Sequence, residues 1–102
     1  MIFLKSYQTE NGNIIAMCDE ELIGRVLSSG KLTIDLVKYA SFYKGDLVSE
    51  DEAKRQVGAE EIYSANVVGK RSVAVLVELG IVGRESVMML GDVPFVHVYR
   101  MV

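Results

Sequence analysis

The stretch from Ile62 to Val82, IYSANVVGKRSVAVLVELGIV, limits the available folds more than any other part of this chain. Its first seven residues read as a strand, Gly69 turns the chain, and Lys70-Arg71-Ser72 lead into a helix. Val73, Leu76 and Val77 stand at i, i+3 and i+4, while Ala74, Val75 and Leu79 carry apolar surface round most of the cylinder. A helix this apolar has to be covered on most sides. It is expected to be the central packing element.

The chain around it has 102 residues, enough for one domain with one core. Area scaling buries roughly two-thirds of the extended chain's surface at this size. Half the residues are apolar and a quarter charged, a globular balance. The net charge of -3 lacks the footprint of a protein that grips phosphate through charge alone, but leaves room for a local basic patch. One cysteine, Cys18, allows no internal disulfide. The opening Met-Ile-Phe-Leu-Lys is too short for a signal-peptide core, and Glu78 interrupts the longest apolar run. The expectation is a cytoplasmic protein that does not enter the membrane.

Taken in order, Ile2–Tyr7 and Asn13–Cys18 lean towards strands joined by a turn centred on Asn11-Gly12. That centre sets Tyr7 opposite Ala16 and Lys5 opposite Cys18, with Ile2, Leu4, Ile15 and Met17 on the other face. Asp19 is placed to cap a helix with Glu20 and Glu21 in its first turn, Leu22, Ile23, Val26 and Leu27 as its buried stripe, and Gly30 as its end. Gly24 inside that helix suggests a close backbone approach. Lys31–Val37 alternates as a half-exposed strand, with Leu32, Ile34 and Leu36 inward. Residues 39–46 read as an ordered aromatic loop that ends in a short strand. Ser49 and Glu52 form a capping box for a short surface helix ending near Gly58. After the central unit, 87–90 and 93–102 read as strands, with Pro94 at the start or edge of the last. The predicted class is α+β, a single domain with a mixed sheet, hairpins at both ends and about three helices, in the order β-β-α-β-α-β-α-β-β.

Each candidate site has a plain structural alternative. Asn66-Val67-Val68-Gly69-Lys70-Arg71 would present backbone N–H groups beside two cations, an anion seat, or else a tight turn with solvated basic residues. It lacks the glycine spacing of a P-loop or dinucleotide fingerprint. Phe42-Tyr43-Lys44-Gly45, near Lys38 and Tyr39, interleaves aromatic and basic side chains as a base-stacking surface would, or plugs the edge of the core. Cys18 reads as a small buried residue. His97, between Phe95 and Tyr99, reads as a half-buried structural histidine. No spaced His/Cys set suggests a metal, and no motif suggests a cofactor. Capping and helix polarity account for Asp19, Glu20 and Glu21 without catalysis.

Four stretches together resemble one family: Met17-Cys18-Asp19-Glu20-Glu21-Leu22-Ile23-Gly24-Arg25, Phe42-Tyr43-Lys44-Gly45-Asp46, Ala65-Asn66-Val67-Val68-Gly69-Lys70-Arg71 and Gly91-Asp92-Val93-Pro94-Phe95-Val96. In order and spacing they are similar to the small archaeal proteins grouped as domain of unknown function four-two-four. The resemblance covers essentially the whole chain. It marks Cys18, Asp19, Glu20, Glu21, Gly24, Gly45 and Pro94 as motif residues of unassigned role. That family tends to have histidine straight after the proline, where this chain has Phe95, so no histidine role carries over. Membership implies an archaeal cytoplasmic protein with a loose association with translation or RNA.

The function expected is a non-enzymatic binding module for RNA or a ribosome-associated partner, with contacts from Arg25, Phe42, Tyr43, Lys44, Asn66, Gly69, Lys70 and Arg71. One alternative is a small-molecule-binding protein or enzyme with a cleft around Cys18, Asp19, Asn66 and His97. Another is a protein-interaction subunit that self-associates through Val96 and Val98 on an edge strand.

Overall fold

Strand β6 (Ile62–Val68) lies between β2 (Gly12–Asp19), parallel to it, and β8 (Val93–Val98), antiparallel. The computed structural model describes residues 1–99. Strands β1 (Ile2–Thr9), β5 (Asp46–Val48) and β7 (Met88–Leu90) complete a six-stranded mixed sheet in the order β5-β1-β2-β6-β8-β7. A separate two-stranded hairpin pairs β3 (Val26–Ser29) with β4 (Leu32–Asp35). The three helices are α1 (Ala40–Tyr43), α2 (Glu50–Gly58) and α3 (Lys70–Glu78). The α+β class, the mixed sheet and both terminal hairpins stand as the sequence implied. Arg100, Met101 and Val102, at the end of the strand expected over 93–102, lie outside the described residues.

Period-two alternation gives the sheet two apolar faces. On one, Ile2, Leu4, Ile15, Met17, Ala65, Val67 and Val96 pack under Ala53 and Val57 of α2 and Val73, Val75 and Leu76 of α3. On the other, Ala16, Cys18, Val68 and Phe95 are covered by Leu27 of the small hairpin, Leu36 and Tyr43. Strand β6 is covered on both faces. It, rather than the helix after it, is the packing centre. Helix α3 is covered on one side only, since Lys70 and Glu78 are exposed and Ala74 and Val77 half-buried.

The first hairpin turns through Glu10-Asn11, not Asn11-Gly12: Thr9 pairs with Gly12, Tyr7 with Ile14, Lys5 with Ala16 and Phe3 with Cys18. The Thr9 hydroxyl holds this turn, donating to the Gly12 carbonyl and accepting from the Asn11 N–H. A register change of two residues preserves which face each side chain occupies. The face assignment therefore survives.

The helix expected from Asp19 to Gly30 is absent. A single 3-10 turn, Glu20–Leu22, leads instead into β3. Gly24 adopts φ 89°, outside helical space; its N–H donates to the Leu36 carbonyl at 3.0 Å, while the space a Cβ would enter is open. Beyond it Val26 is exposed, Leu27 buried and Ser28 exposed, a strand's period. Asp19 does not cap locally because its carboxylate is engaged elsewhere. In β4 and beyond, Leu36 is buried and Ile34 half-buried, while Leu32, expected inward, is exposed.

Residues 40–43 form one helical turn rather than a loop, and the short strand after it is present as β5. Tyr7 pins the turn, its hydroxyl donating to the Phe42 carbonyl at 2.7 Å and its ring stacking on Phe42 at 5.2 Å between centroids. Gly45 lets the chain close back on β1, because a Cβ there would land on the Leu4 carbonyl. Ser49 caps α2 by accepting the Glu52 N–H at 3.1 Å. The reciprocal half of the box is missing: the Glu52 carboxylate is bonded to Arg55 and Gln56. Strand β8 is interior over Val93–Phe95, paired with both neighbours at Phe95, and β7 is the edge. Pro94 is buried as the second residue of that strand; the Val96 side chain is core, and over residues 96–98 β8 pairs with β6 alone.

Candidate functional site

The β6–α3 turn has the local geometry of an anion seat, and the chain fills it with its own carboxylate. Asp19 is 3% exposed at the end of β2. Its Oδ2 accepts the Arg71 backbone N–H at 3.1 Å, and its Oδ1 accepts the Ser72 N–H at 2.9 Å and the Ser72 hydroxyl at 2.8 Å. This is an N-cap delivered from another strand, satisfying N–H groups that the first helical turn leaves without partners. Gly69 makes room for it. Its φ is 112°, and a Cβ would land on the Asp19 carboxylate. The Arg71 guanidinium donates to Glu21 at 2.5 and 2.8 Å and lies 4.0 Å from Glu50. Backbone hydrogen bonding, then Arg71, holds Glu21 below the usual carboxylate range. Arg71 is thus occupied, not presented.

Two expected cations stay outside this network. Arg25 and Lys70 are exposed, neither has a carboxylate within 4 Å among the described residues, and both line a groove of about 480 Å³ between β3, Gly69 and the β7–β8 turn. The floor of that groove includes Asp19 and Glu21, and Asp92 stands on its wall, so its charges nearly balance.

A second cavity, of about 440 Å³, opens on the β4 side of the same hairpin. Tyr39, Phe42, Tyr43, Asn66, His97 and Tyr99 line it, with Asp35 at its rim. Asn66 and His97 are directly opposed residues of β6 and β8. On its other side Asn66 pairs with Ala16 of β2, whose side chain is fully buried in the core. The Asp35 carboxylate is consumed locally, accepting the N–H groups of Val37 at 3.0 Å and Lys38 at 2.9 Å, and this turn swings Tyr39 to the cavity. The Asn66 carboxamide makes no hydrogen bond to another described residue, although it is half-buried. Burial pushes the Tyr43 hydroxyl up to about 12, with Cys18 and Tyr99 adding to the effect. Partial burial of its ring also lowers the His97 pKa.

Of the residues singled out from sequence, Phe42, Tyr43 and Asn66 meet here, whereas Arg25, Gly69 and Lys70 meet across the hairpin. Lys44 lines neither cavity; its N–H closes α1 on the Ala40 carbonyl. Tyr99 was not singled out, although its alternation with Phe95 and His97 already put the three on one face. The Cys18–Asp19–Asn66–His97 cleft does not form. Asn66 and His97 share the aromatic cavity, Asp19 lines the other, and Cys18 lines neither. The Cys18 thiol is fully buried, and burial, then Asp19 and Glu21, push its pKa up to about 12. Among the described residues no three His, Cys, Asp or Glu side chains could hold a metal, and no helix is long and apolar enough to cross a membrane.

A family model described as protein of unknown function (DUF424) matches residues 7–101. No curated protein matches the chain. Among solved structures, the chain is similar to the crystal structure of an uncharacterized conserved protein from Methanopyrus kandleri, with a TM-score of 0.80 and 24% identity, over 99% of this chain and 95% of that one. That likeness carries the fold.

Proposed function

We propose a role for this chain, which belongs to the DUF424 family of proteins of unknown function, as a non-enzymatic module that binds single-stranded RNA by taking an unpaired base into the aromatic cleft. The observation that carries this reading is the meeting of Tyr39, Phe42 and Tyr99 with an unpartnered carboxamide on the cleft floor. Aromatic faces supply stacking worth roughly 1–3 kcal/mol per base, and polar groups at the floor supply orientation. Lys38, whose ammonium lies 5.5 Å from the Tyr39 ring centroid, brings a cation to the mouth for the adjoining phosphate. Net negative charge elsewhere keeps the backbone contribution small, so binding leans on the base.

The enzymatic alternative has less support: the Cys18 thiol, which that reading needs beside Asn66 and His97, is buried away from their cleft. The test is a titration of short single-stranded RNA and of an RNA duplex by fluorescence anisotropy. Single strands are expected to bind, weakening with salt, and duplex to bind at least about tenfold more weakly. Tyr39→Ala, at a residue 53% exposed, is expected to weaken single-strand binding about tenfold without unfolding the protein. Equal affinity for duplex, or an unchanged Tyr39→Ala, overturns the reading.

A further inference from the structure

Two polar side chains beside the cleft have a job inside the protein: Asp35 closes a turn and the Tyr7 hydroxyl holds α1. Asn66 does not: it sits mid-strand in a six-stranded sheet, half-buried, with its amide turned into the cavity and no partner among the described residues. A carboxamide places an N–H donor and a C=O acceptor side by side in one plane. His97, the cross-strand neighbour of Asn66 on β8, brings a second polar side chain to the same cavity.

We propose that Asn66 reads the edge of the bound base through a pair of opposed hydrogen bonds, its N–H donating to an acceptor on that edge and its C=O accepting from the neighbouring donor. The proposal rests on the aromatic cleft being the base site. All four RNA bases offer a donor beside an acceptor: N6–H and N1 of adenine, N4–H and N3 of cytosine, N3–H and O4 of uracil, N1–H and O6 of guanine. The site therefore accepts any unpaired base and rejects one whose edge is already paired or blocked. Asn66 supplies selection for single strands, not for sequence.

Two arms test it. In the first, the unaltered protein is titrated with short oligouridylate and with the same oligomer carrying 3-methyluridine, which loses the ring donor but still stacks. A loss of about tenfold is expected. In the second, Asn66→Asp replaces donor-plus-acceptor by two acceptors. Adenine oligomers are expected to lose about tenfold, whereas guanine, whose N1–H and N2–H are adjacent donors, is expected to gain relative to adenine. A thermal melt of the variant confirms that it folds, and the methylated ligand needs no variant at all. If RNA binds and Tyr39→Ala weakens it, but methylation and Asn66→Asp leave relative affinities unchanged, the edge-reading role is wrong and the aromatic site stands. If no single strand binds the unaltered protein, both fall together.

Discussion

The two cavities flanking the β3–β4 hairpin are built to opposite rules. At the β6–α3 turn the donors find partners within the chain: Arg71 and Ser72 give their N–H groups to Asp19, and the Arg71 side chain goes to Glu21. In the aromatic cleft a half-buried amide and an imidazole face an opening with no such partners among the described residues. Burying polar groups without bonds is unfavourable, so a chain normally satisfies them internally, as the turn does. Groups left open at the floor of a cavity are the ones a ligand can satisfy. By sequence the turn looked like the stronger candidate, with its glycine, helix start and two cations. Satisfaction, rather than residue type, separates a joint that holds the fold from a surface that can bind.

The contrast breaks most readily at Asp19. Asp19→Ala leaves two buried N–H groups and a hydroxyl without partners, and is expected to destabilise the protein by about 3 kcal/mol in a denaturant titration. A loss under about 0.5 kcal/mol would mean the carboxylate is not the structural anion of that turn. Cys18, beneath the hairpin between the two regions, is expected to alkylate at least about a hundredfold more slowly than a free thiol at pH 8. Its raised pKa also sets a sign. Between about 9 and about 12 the unfolded chain loses this proton while the folded chain keeps it, so stability falls as pH rises through that window. That decline is expected to shrink in Cys18→Ala, which comparison of the two unfolding curves checks.

On the open side the signs reverse. Asn66→Ala is expected to leave stability within about 0.5 kcal/mol while weakening RNA binding about tenfold. A destabilisation like that of Asp19→Ala would place Asn66 with the joint. The smallest effect belongs to the rim: Arg71→Gln breaks a pair exposed on both sides and is expected to leave the denaturation midpoint nearly unchanged, most nearly so at high salt. Its RNA affinity is expected to match that of the unaltered protein, since the guanidinium is already held by Glu21.

Much of the fold could be read along the chain. Ile2, Leu4, Ile15 and Met17 were expected on one face and lie there, although the pairing register moved by two residues. The unit β6–Gly69–α3 was expected and is present, as is the cap of α2 by Ser49. The segment 19–30 misled because Asp, Glu and Glu before an apolar quartet satisfy every local rule for a helix start. Nothing local signals that Asp19 serves a helix 52 and 53 residues further on. The cleft was half legible. Phe42 and Tyr43 were grouped with Tyr39, and Asn66 with His97, but that the two sets meet with Tyr99 around one cavity did not follow from any spacing.

Period-two and period-3.6 patterns, together with glycine and cap chemistry, determined which residues face inward and where α2 and α3 begin, because those preferences act between neighbours along the backbone. Only tertiary structure decided which carboxylate fills the turn, which strand forms the edge, and that four separated segments wall one cavity. Those outcomes depend on strand order and long-range pairing, where competing partners differ by hydrogen bonds and burial that no short window of sequence contains.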